Sequence, residues 1–587
     1  MYILGLNIGH NSTAGLLKDG KIIKCVSEER FSRIKNHHGV PLKSIKWLLE
    51  ETKINMEDID LVVLDDQYPI TNNPHFGRNF FNAYTKKSRI KKIISQIAYK
   101  YPKAFSQYYS FKESSSESGK EKFRENLKRE LALILRISHE KVIVADHHLM
   151  HAFAPLGNLD RKKNWLVFTL DGEGSGLCAS VNVFDGKNLK VISQSPKTAS
   201  LGYFYGLATL HLGMKPLEHE FKVMGLAPYA KTHNVDEIYS KIKNLFWIDE
   251  RGVFHSKFSM PFADHFFAKE MKNVRFDTLA AAVQRITEEL CCEWVLKMIQ
   301  KTKISNVALS GGVFMNVKAN KKISELVEIE NIFVMPSCGD ESNAIGSCWY
   351  GYKVLTAKNK LQFEPQPIED LYLGPEYNEN YLEEFIVRNN LKEKYLIKKV
   401  KNIELEIARL LAKGEIVARL SGRSEWGARA LGNRSILANP IHPDTIRILN
   451  ETIKDRDFWM PFTPSMLDSF ENKYLINPKK IFSPHMAITF DSTLIARKLL
   501  PAAMHPYDFT IRPQIVTKSY NKNYYQLIEH FSKLTGIGAI LNTSFNLHGE
   551  PNVLTPEDAL HTIENSSLKY LVINNRIFEK KLDNTLP

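Results

Sequence analysis

The chain has 587 residues, enough for at least two domains that each bury a core of their own. With 43% apolar and 25% charged residues it reads as globular: no apolar run could span a bilayer, residues 2–7 are too short for a signal peptide, and six cysteines without a CxxC pair exclude a disulfide framework and a thiolate zinc site, so a cytoplasmic protein is expected. The formal charge of +14 favours anionic partners, but the densest basic stretch, 86–103, mixes Lys with Ile and Tyr at helical spacing and carries no nucleic-acid motif, so phosphate-bearing small molecules are expected and nucleic acid is not.

Strand and helix patterns alternate along the chain, the signature of α/β architecture. Tyr2–Asn7 reads as a strand, and Asp19-Gly20 as the turn of a hairpin between 14–18 and 21–26. The polar turn between the first two strands holds His10, which reads either as a general base or as a plain turn histidine. Residues 72–131 read as an insertion, with 114–119 (SSSESG) as a mobile loop within it.

After the apolar run 142–145, a helix starting in DHHLMH sets His147 and His151 one turn apart on a single face. Such a pair reads as two metal ligands, or as one buried core imidazole beside an exposed one. Residues 165–170 form a strand ending in DGEGSG, where Asp171 stands. Residues 306–309 form another, ending in SGGV and opening a helical stretch over 314–326. Gly-rich turns after these strands are places where a phosphate can approach the backbone. Leu279, Val283, Ile286, Leu290, Trp294 and Met298 recur at helical spacing. Asp340 lies in SCGDES, after the strand 332–335. A carboxylate at a strand end is a cap, a turn residue or a ligand; two of them with an HxxxH pair make a mixed N/O set suited to iron or another first-row divalent metal.

The Pro-containing segment 356–375 is the expected linker between an N-terminal part, 1–355, and a C-terminal part, 376–587. Beyond it, SGRSEWGARALGNRS sets three arginines among small residues after the strand 416–420. Planar guanidinium forks suit phosphate and carboxylate, and Lys454, Arg456, Arg512 and the turn at Asn542 would complete an anion pocket; solvated surface arginines are the other reading.

The motifs GLNIGHNSTAGLL, SEERFSRIKN, DHHLMHA, LDGEGSG, HEFKVMGLAPYA, LSGGVFMN, SCGDESNAIG, GRSEWGARALGNRSI, IRPQ and LNTSFNLHGEP, in that order, resemble the O-carbamoyltransferases of the nodulation-protein and antibiotic-tailoring type. The resemblance implies an actin-like ATPase N-terminal domain, a duplicated mixed-sheet fold similar to the tRNA threonylcarbamoyl transferases. It also implies a smaller α/β C-terminal domain similar to threonylcarbamoyl-adenylate synthases. In such proteins the C-terminal domain makes carbamoyl-adenylate from carbamoyl phosphate and ATP, and the N-terminal domain transfers the carbamoyl group to a hydroxyl, releasing AMP. Carried over by motif, His147, His151, Asp171 and Asp340 match the family's metal ligands, with Fe2+ as the metal and Mg2+ accompanying ATP. Lys35, Asp171, Gly202, Glu220, Lys222, Gly311, Gly312 and Asn316 fall in motifs that line the adenylate and acceptor sites, with His10 as the catalytic base. Arg423, Arg429, Lys454, Arg456, Arg512 and Asn542 match the pocket for ATP and carbamoyl phosphate.

Two departures stand out. The family's first turn reads His-Asp-Ser, whereas Asn11 stands here in place of the acid, and the insertion matches no motif, which makes it a source of acceptor specificity. A sugar-kinase-like phosphotransferase on the same scaffold and a non-enzymatic ATP-binding protein with a structural metal are the alternatives. A second anion pocket favours the carbamoyltransferase over both, and the acceptor hydroxyl is not named by the sequence.

Overall fold

The computed structural model describes residues 1–75, 89–102, 104–105, 117–454 and 457–581. Arg456, the serines 114–116 of the expected loop, and residues 86–88 and 103 of the basic stretch lie outside the described residues. The chain forms two compact units: Met1–Ser32 with Asn36–Ile368, and Arg33–Lys35 with Glu369–Pro587.

The first unit opens with an antiparallel meander, β1 (Tyr2–Asn7), β2 (Thr13–Lys18) and β3 (Lys21–Ser27). Asp19 (φ 48°) and Gly20 (φ 78°) make the tight turn that the sequence predicts between β2 and β3. After α1 (Leu42–Thr52) comes β4 (Leu61–Asp65), parallel to β1. All five residues of β4 are buried, as expected of a parallel strand covered on both faces. Helices α2 (Arg89–Lys100) and α3 (Glu117–Leu135) precede β5 (Val142–Ala145), parallel to β4. Helix α3 takes in Glu117, Ser118 and Gly119, so these three residues of the expected loop are helical instead. The sheet order is β3-β2-β1-β4-β5.

Helix α4 (His147–Phe153) then leads to a second meander, β6 (Trp165–Gly174), β7 (Leu177–Phe184) and β8 (Leu189–Pro196). Strand β6 runs four residues beyond the expected end, because Gly174 still pairs with Leu177 after an irregularity that begins at Leu170, and the Gly-rich segment is therefore a hairpin. Helices α5 (Leu201–His211) and α6 (Glu220–Leu226), a small hairpin of β9 (Phe246–Ile248) and β10 (Phe254–Ser256), and α7 (Phe276–Thr302) follow. The six apolar positions read at helical spacing are all buried on α7, where Trp294 meets Phe168 of β6 edge-on at 4.9 Å.

Strand β11 (Asn306–Ser310) is parallel to β6, and β12 (Asn331–Val334) to β11; α8 (Val317–Ser324) lies between them and α9 (Ser342–Lys358) follows. The stretch 314–326 is helical only over α8, after a 3-10 turn at Gly312–Met315. The sheet order β8-β7-β6-β11-β12 repeats the first sheet strand for strand: a three-strand meander, then two parallel strands. This is the duplicated mixed-sheet architecture of the actin-like ATPase fold. No helix of the described residues is long and apolar enough to cross a membrane.

The second unit carries an eight-stranded mixed sheet. Its strands are β13 (Tyr395–Lys399), β14 (Val417–Leu420), β15 (Arg434–Ala438) and β16 (Thr463–Leu467), then β20 (Gln514–Val516), β21 (Ala539–Ser544), β22 (Tyr570–Ile573) and β23 (Arg576–Lys580), in the order β13-β23-β22-β14-β15-β21-β16-β20. A separate three-stranded sheet holds β17 (Leu475–Ile476), β18 (Phe490–Ser492) and β19 (Thr510–Ile511). Ala418, Leu420, Ile436, Ala438 and Leu541 supply the core of the large sheet. Residues 359–378 carry no helix or strand, yet Leu371, Tyr372 and Leu373 are buried.

Candidate metal centre

Asp146 caps α4 by accepting the backbone N–H of Leu149 at 2.9 Å, so the helix begins at His147. From there the i, i+4 spacing sets the two imidazoles edge to face on one side of the helix, ring centres 4.6 Å apart. Asp171, on β6, faces them across the gap: its Oδ2 lies 3.1 Å from His147 Nε2 and 3.7 Å from His151 Nε2. Asp340, in the turn after β12, brings Oδ1 to 3.8 Å and 3.7 Å of the same two nitrogens. One ligand atom from each of the four residues falls within 4.8 Å of the other three, and all four residues are buried.

The electrostatics follow from that crowding. Burial opposes the charge on Asp171, yet the two imidazoles beside it hold its carboxyl well below the usual carboxylate range. Asp340 is pushed up, by burial first and then by the negative charge of Asp171. Burial also opposes the charge on His147, but Asp65, Asp171 and Asp340 outweigh it and hold its pKa well above the usual imidazole value. Two buried carboxylates this close repel each other, and a cation between them relieves both. His151 Nε2 is buried with no hydrogen-bond partner, a donor atom aimed at the carboxylates on which a metal would fit. Two imidazole nitrogens and two carboxylate oxygens suit a first-row divalent ion.

The outer residues fix the rings. Asn343 Nδ2 lies 3.0 Å from His147 Nδ1 and donates to Asp65 Oδ2 at 3.1 Å; Ser342 Oγ lies 3.1 Å from His151 Nδ1. Such partners set which nitrogen is free for a metal. Sequence reasoning missed Asp65, Ser342 and Asn343. The signal for Asp65 was an acid closing an all-apolar strand, and for the other two their place in SCGDESN, just after Asp340.

The expected glycines pack onto Asp171. A Cβ on Gly312 would stand 2.6 Å from Asp171 Oδ1, to which the Gly312 N–H donates at 3.2 Å. On Gly202 it would stand 2.9 Å from the Asp171 carbonyl oxygen. Gly311 has φ 99°, and its Cβ would meet the Leu170 carbonyl at 2.5 Å.

His10 is half-buried in the β1–β2 turn, where Asn7 Nδ2 donates to its carbonyl at 2.7 Å. Asn11, in the left-handed region at φ 56°, donates its amide to Glu341 Oε2 at 3.1 Å. An aspartate there would set carboxylate against carboxylate, which accounts for the amide in place of the acid.

Elsewhere in the unit, Asn316 caps α8 and bonds Gln284 of α7, and Gln284 also accepts from Tyr205 of α5. Glu220 opens α6 with Lys222 on the same helix, and burial pushes its carboxyl up to about 7. Lys35 groups with the second unit.

In the second unit, Glu425 organises the loop that carries the arginines. Its Oε1 accepts the backbone N–H groups of Leu431, Asn433 and Arg434 at 2.8, 2.8 and 3.1 Å. Arg423 lies 3.3 Å from Asp370, and Arg429 is half-buried in the same loop. Arg434, third of the arginines, is fully buried and donates to the carbonyls of Ser421, Gly422 and Pro375, so its fork holds the chain itself. Asn542, on β21, donates to the Ala430 carbonyl at 3.0 Å, and buried Lys454 reaches the end of the same strand, donating to the Asn546 carbonyl at 3.0 Å and to Ser544. Arg512 lies two residues before Gln514, whose Nε2 donates to the Leu431 carbonyl. Loop and strand end are thereby brought together.

The carbamoyltransferase N-terminus family matches residues 2–349 and the carbamoyltransferase C-terminus family residues 408–580. The chain is 33% identical to an uncharacterised protein of Methanocaldococcus jannaschii, over 78% of this chain and 76% of that one. It is 28% identical to the nodulation protein NolNO of Sinorhizobium fredii, over 97% of this chain and 79% of that one. Among solved structures it is similar to HypF of T. kodakarensis at 14% identity and a TM-score of 0.33, over 62% of this chain and 49% of that one. Matched in both its parts by one enzyme family, the chain belongs to the carbamoyltransferases.

Proposed function

We propose that this carbamoyltransferase is ATP-dependent and works in two steps on two sites, ending in carbamoylation of a hydroxyl. In the second unit, carbamoyl phosphate and water give carbamate and phosphate, and a carbamate oxygen then attacks the α-phosphorus of ATP to give carbamoyl-adenylate and pyrophosphate. Arg423, Arg429, Arg512 and Lys454 supply positive charge for these anions, and the loop held by Glu425 fixes where the forks stand. In the first unit the acceptor oxygen bonds to the carbamoyl carbon, the bond from that carbon to the adenylate oxygen breaks, and AMP leaves with the electron pair.

His10 takes the hydroxyl proton on a ring nitrogen. His147, His151, Asp171 and Asp340 would hold a divalent metal, which would supply Lewis-acid polarisation of a carbonyl oxygen. Gly312, free of a Cβ atom, lets its backbone N–H come against Asp171 Oδ1 and hold that carboxylate in place. The observation that carries this reading is the buried, unpartnered Nε2 of His151, facing two carboxylates in a chain of this family.

The test is incubation with carbamoyl phosphate, ATP and a panel of hydroxyl acceptors. AMP, pyrophosphate and a carbamoylated acceptor are expected together. Conversion of ATP to ADP with carbamoyl phosphate untouched would point to a kinase and sink the proposal.

A further inference from the structure

Asp65, Asp66 and Gln67 leave the end of β4 by three different routes. Asp65 Oδ2 lies 3.4 Å from His147 Nδ1 and shares the Asn343 amide with it, and Gln67 donates to the Glu173 carbonyl of β6 at 2.6 Å. Asp66 serves the backbone. Its Oδ1 accepts from Ser175 Oγ, and Ser175 Oγ accepts the His147 N–H at 2.8 Å. That N–H opens α4 and has no partner within the helix, so Ser175 is what fixes the point from which the ligating face starts.

The other oxygen of Asp66 is held from α3. Arg124 donates from Nε at 2.7 Å, and its Nη2 lies 2.6 Å from the same oxygen. The Asp66 side chain is 4% exposed and that of Arg124 36%, so a surface guanidinium compensates a buried carboxylate. Lys120, four residues earlier on the same face of α3, donates to the Ser175 carbonyl at 3.0 Å. Two cations of one helix thus grip the β6–β7 turn on which His147 hangs.

We propose that Arg124 is a positioning residue for the metal centre: through Asp66 and Ser175 it latches the start of α4, so that α3 governs how tightly His147 holds a metal. The proposal rests on reading the four-residue cluster as a metal centre. Without Arg124 the Asp66 carboxylate is buried uncompensated; it turns to solvent, and Ser175 loses the acceptor that orients it. If the ion pair merely anchored α3, its loss would lower stability and leave metal affinity alone.

Full-length protein stripped of metal and titrated with Co2+, followed by the visible absorption of the bound ion, separates the two. Arg124→Ala and Ser175→Ala should each weaken Co2+ binding by roughly tenfold or more and alter the absorption band. The double variant should bind no more weakly than Ser175→Ala alone, because both act along one path. Arg129→Ala, on the same helix but 68% exposed and paired with Glu125, should match the wild type. If Arg124→Ala fails to fold, Arg124→Gln is read in the same way. Unchanged affinity and band in the Arg124 variant overturn the latch and leave the metal centre standing. A wild type that takes up no more Co2+ than Asp171→Ala overturns the metal centre, and the latch with it.

Discussion

His148 stands between the two histidines of the candidate metal centre in sequence and points away from them. Its Nδ1 meets Thr169 Oγ1 at 2.8 Å, and Thr169 in turn meets Ser180 Oγ at 2.7 Å, so it is a core imidazole. Burial, and then the charges of His147 and His151, push its pKa down to about 3. The folded chain therefore refuses a proton that the unfolded chain takes up near pH 6.5, and stability falls as pH drops from about 6.5 towards 3. Between pH 7 and pH 5 this single group costs about 2 kcal/mol. His148→Gln should lose correspondingly less over that interval in urea unfolding of metal-free protein; equal losses in the two proteins would contradict the assignment. The contrast shows what sequence spacing can tell. The i, i+4 pair was legible because helix geometry alone puts both rings on one face. Asp65 was not, because an acid ending an apolar strand looks the same whether it turns to solvent or beneath an imidazole.

At the scale of elements, the Gly-rich end of β6 read as a turn open to phosphate and is in fact a hairpin pressed against α4. A Cβ on Gly174 would stand 2.0 Å from His147 Cδ2, too close for any small adjustment. Gly174→Ala should therefore displace the His147 ring and abolish tight metal binding while the protein stays folded, as measured by metal content and circular dichroism. Full metal content in that variant would mean that the hairpin yields easily. The first meander, the start of β6 and the long buried helix α7 were legible from alternation and helical periodicity. The repetition of one strand order in two sheets was not, since sheet order depends on pairings between segments far apart in sequence. Nor was the role of Arg434, because an arginine among glycines reads the same whether its fork meets a phosphate or its own carbonyls.

At the scale of the molecule, the two half-reactions proposed above, one in each unit, should be separable. His147→Ala should abolish acceptor carbamoylation while ATP–pyrophosphate exchange dependent on carbamoyl phosphate survives. Loss of both would show that the steps share one site. The ordered motifs made the family legible along the whole chain, because they pin many positions at once; the acceptor was not legible, since a base for a hydroxyl proton does not name the molecule that carries the hydroxyl.

The duplicated sheets give the metal centre one more property. Its histidines follow the last strand of the first sheet, while Asp171 lies on the first strand of the second and Asp340 in the turn after its last. An ion held by all four would act as a rivet through both halves of the repeated fold. Any hinge opening between those halves must then lengthen or break coordination, so the ion's ligand count would register whether the halves stand open or shut.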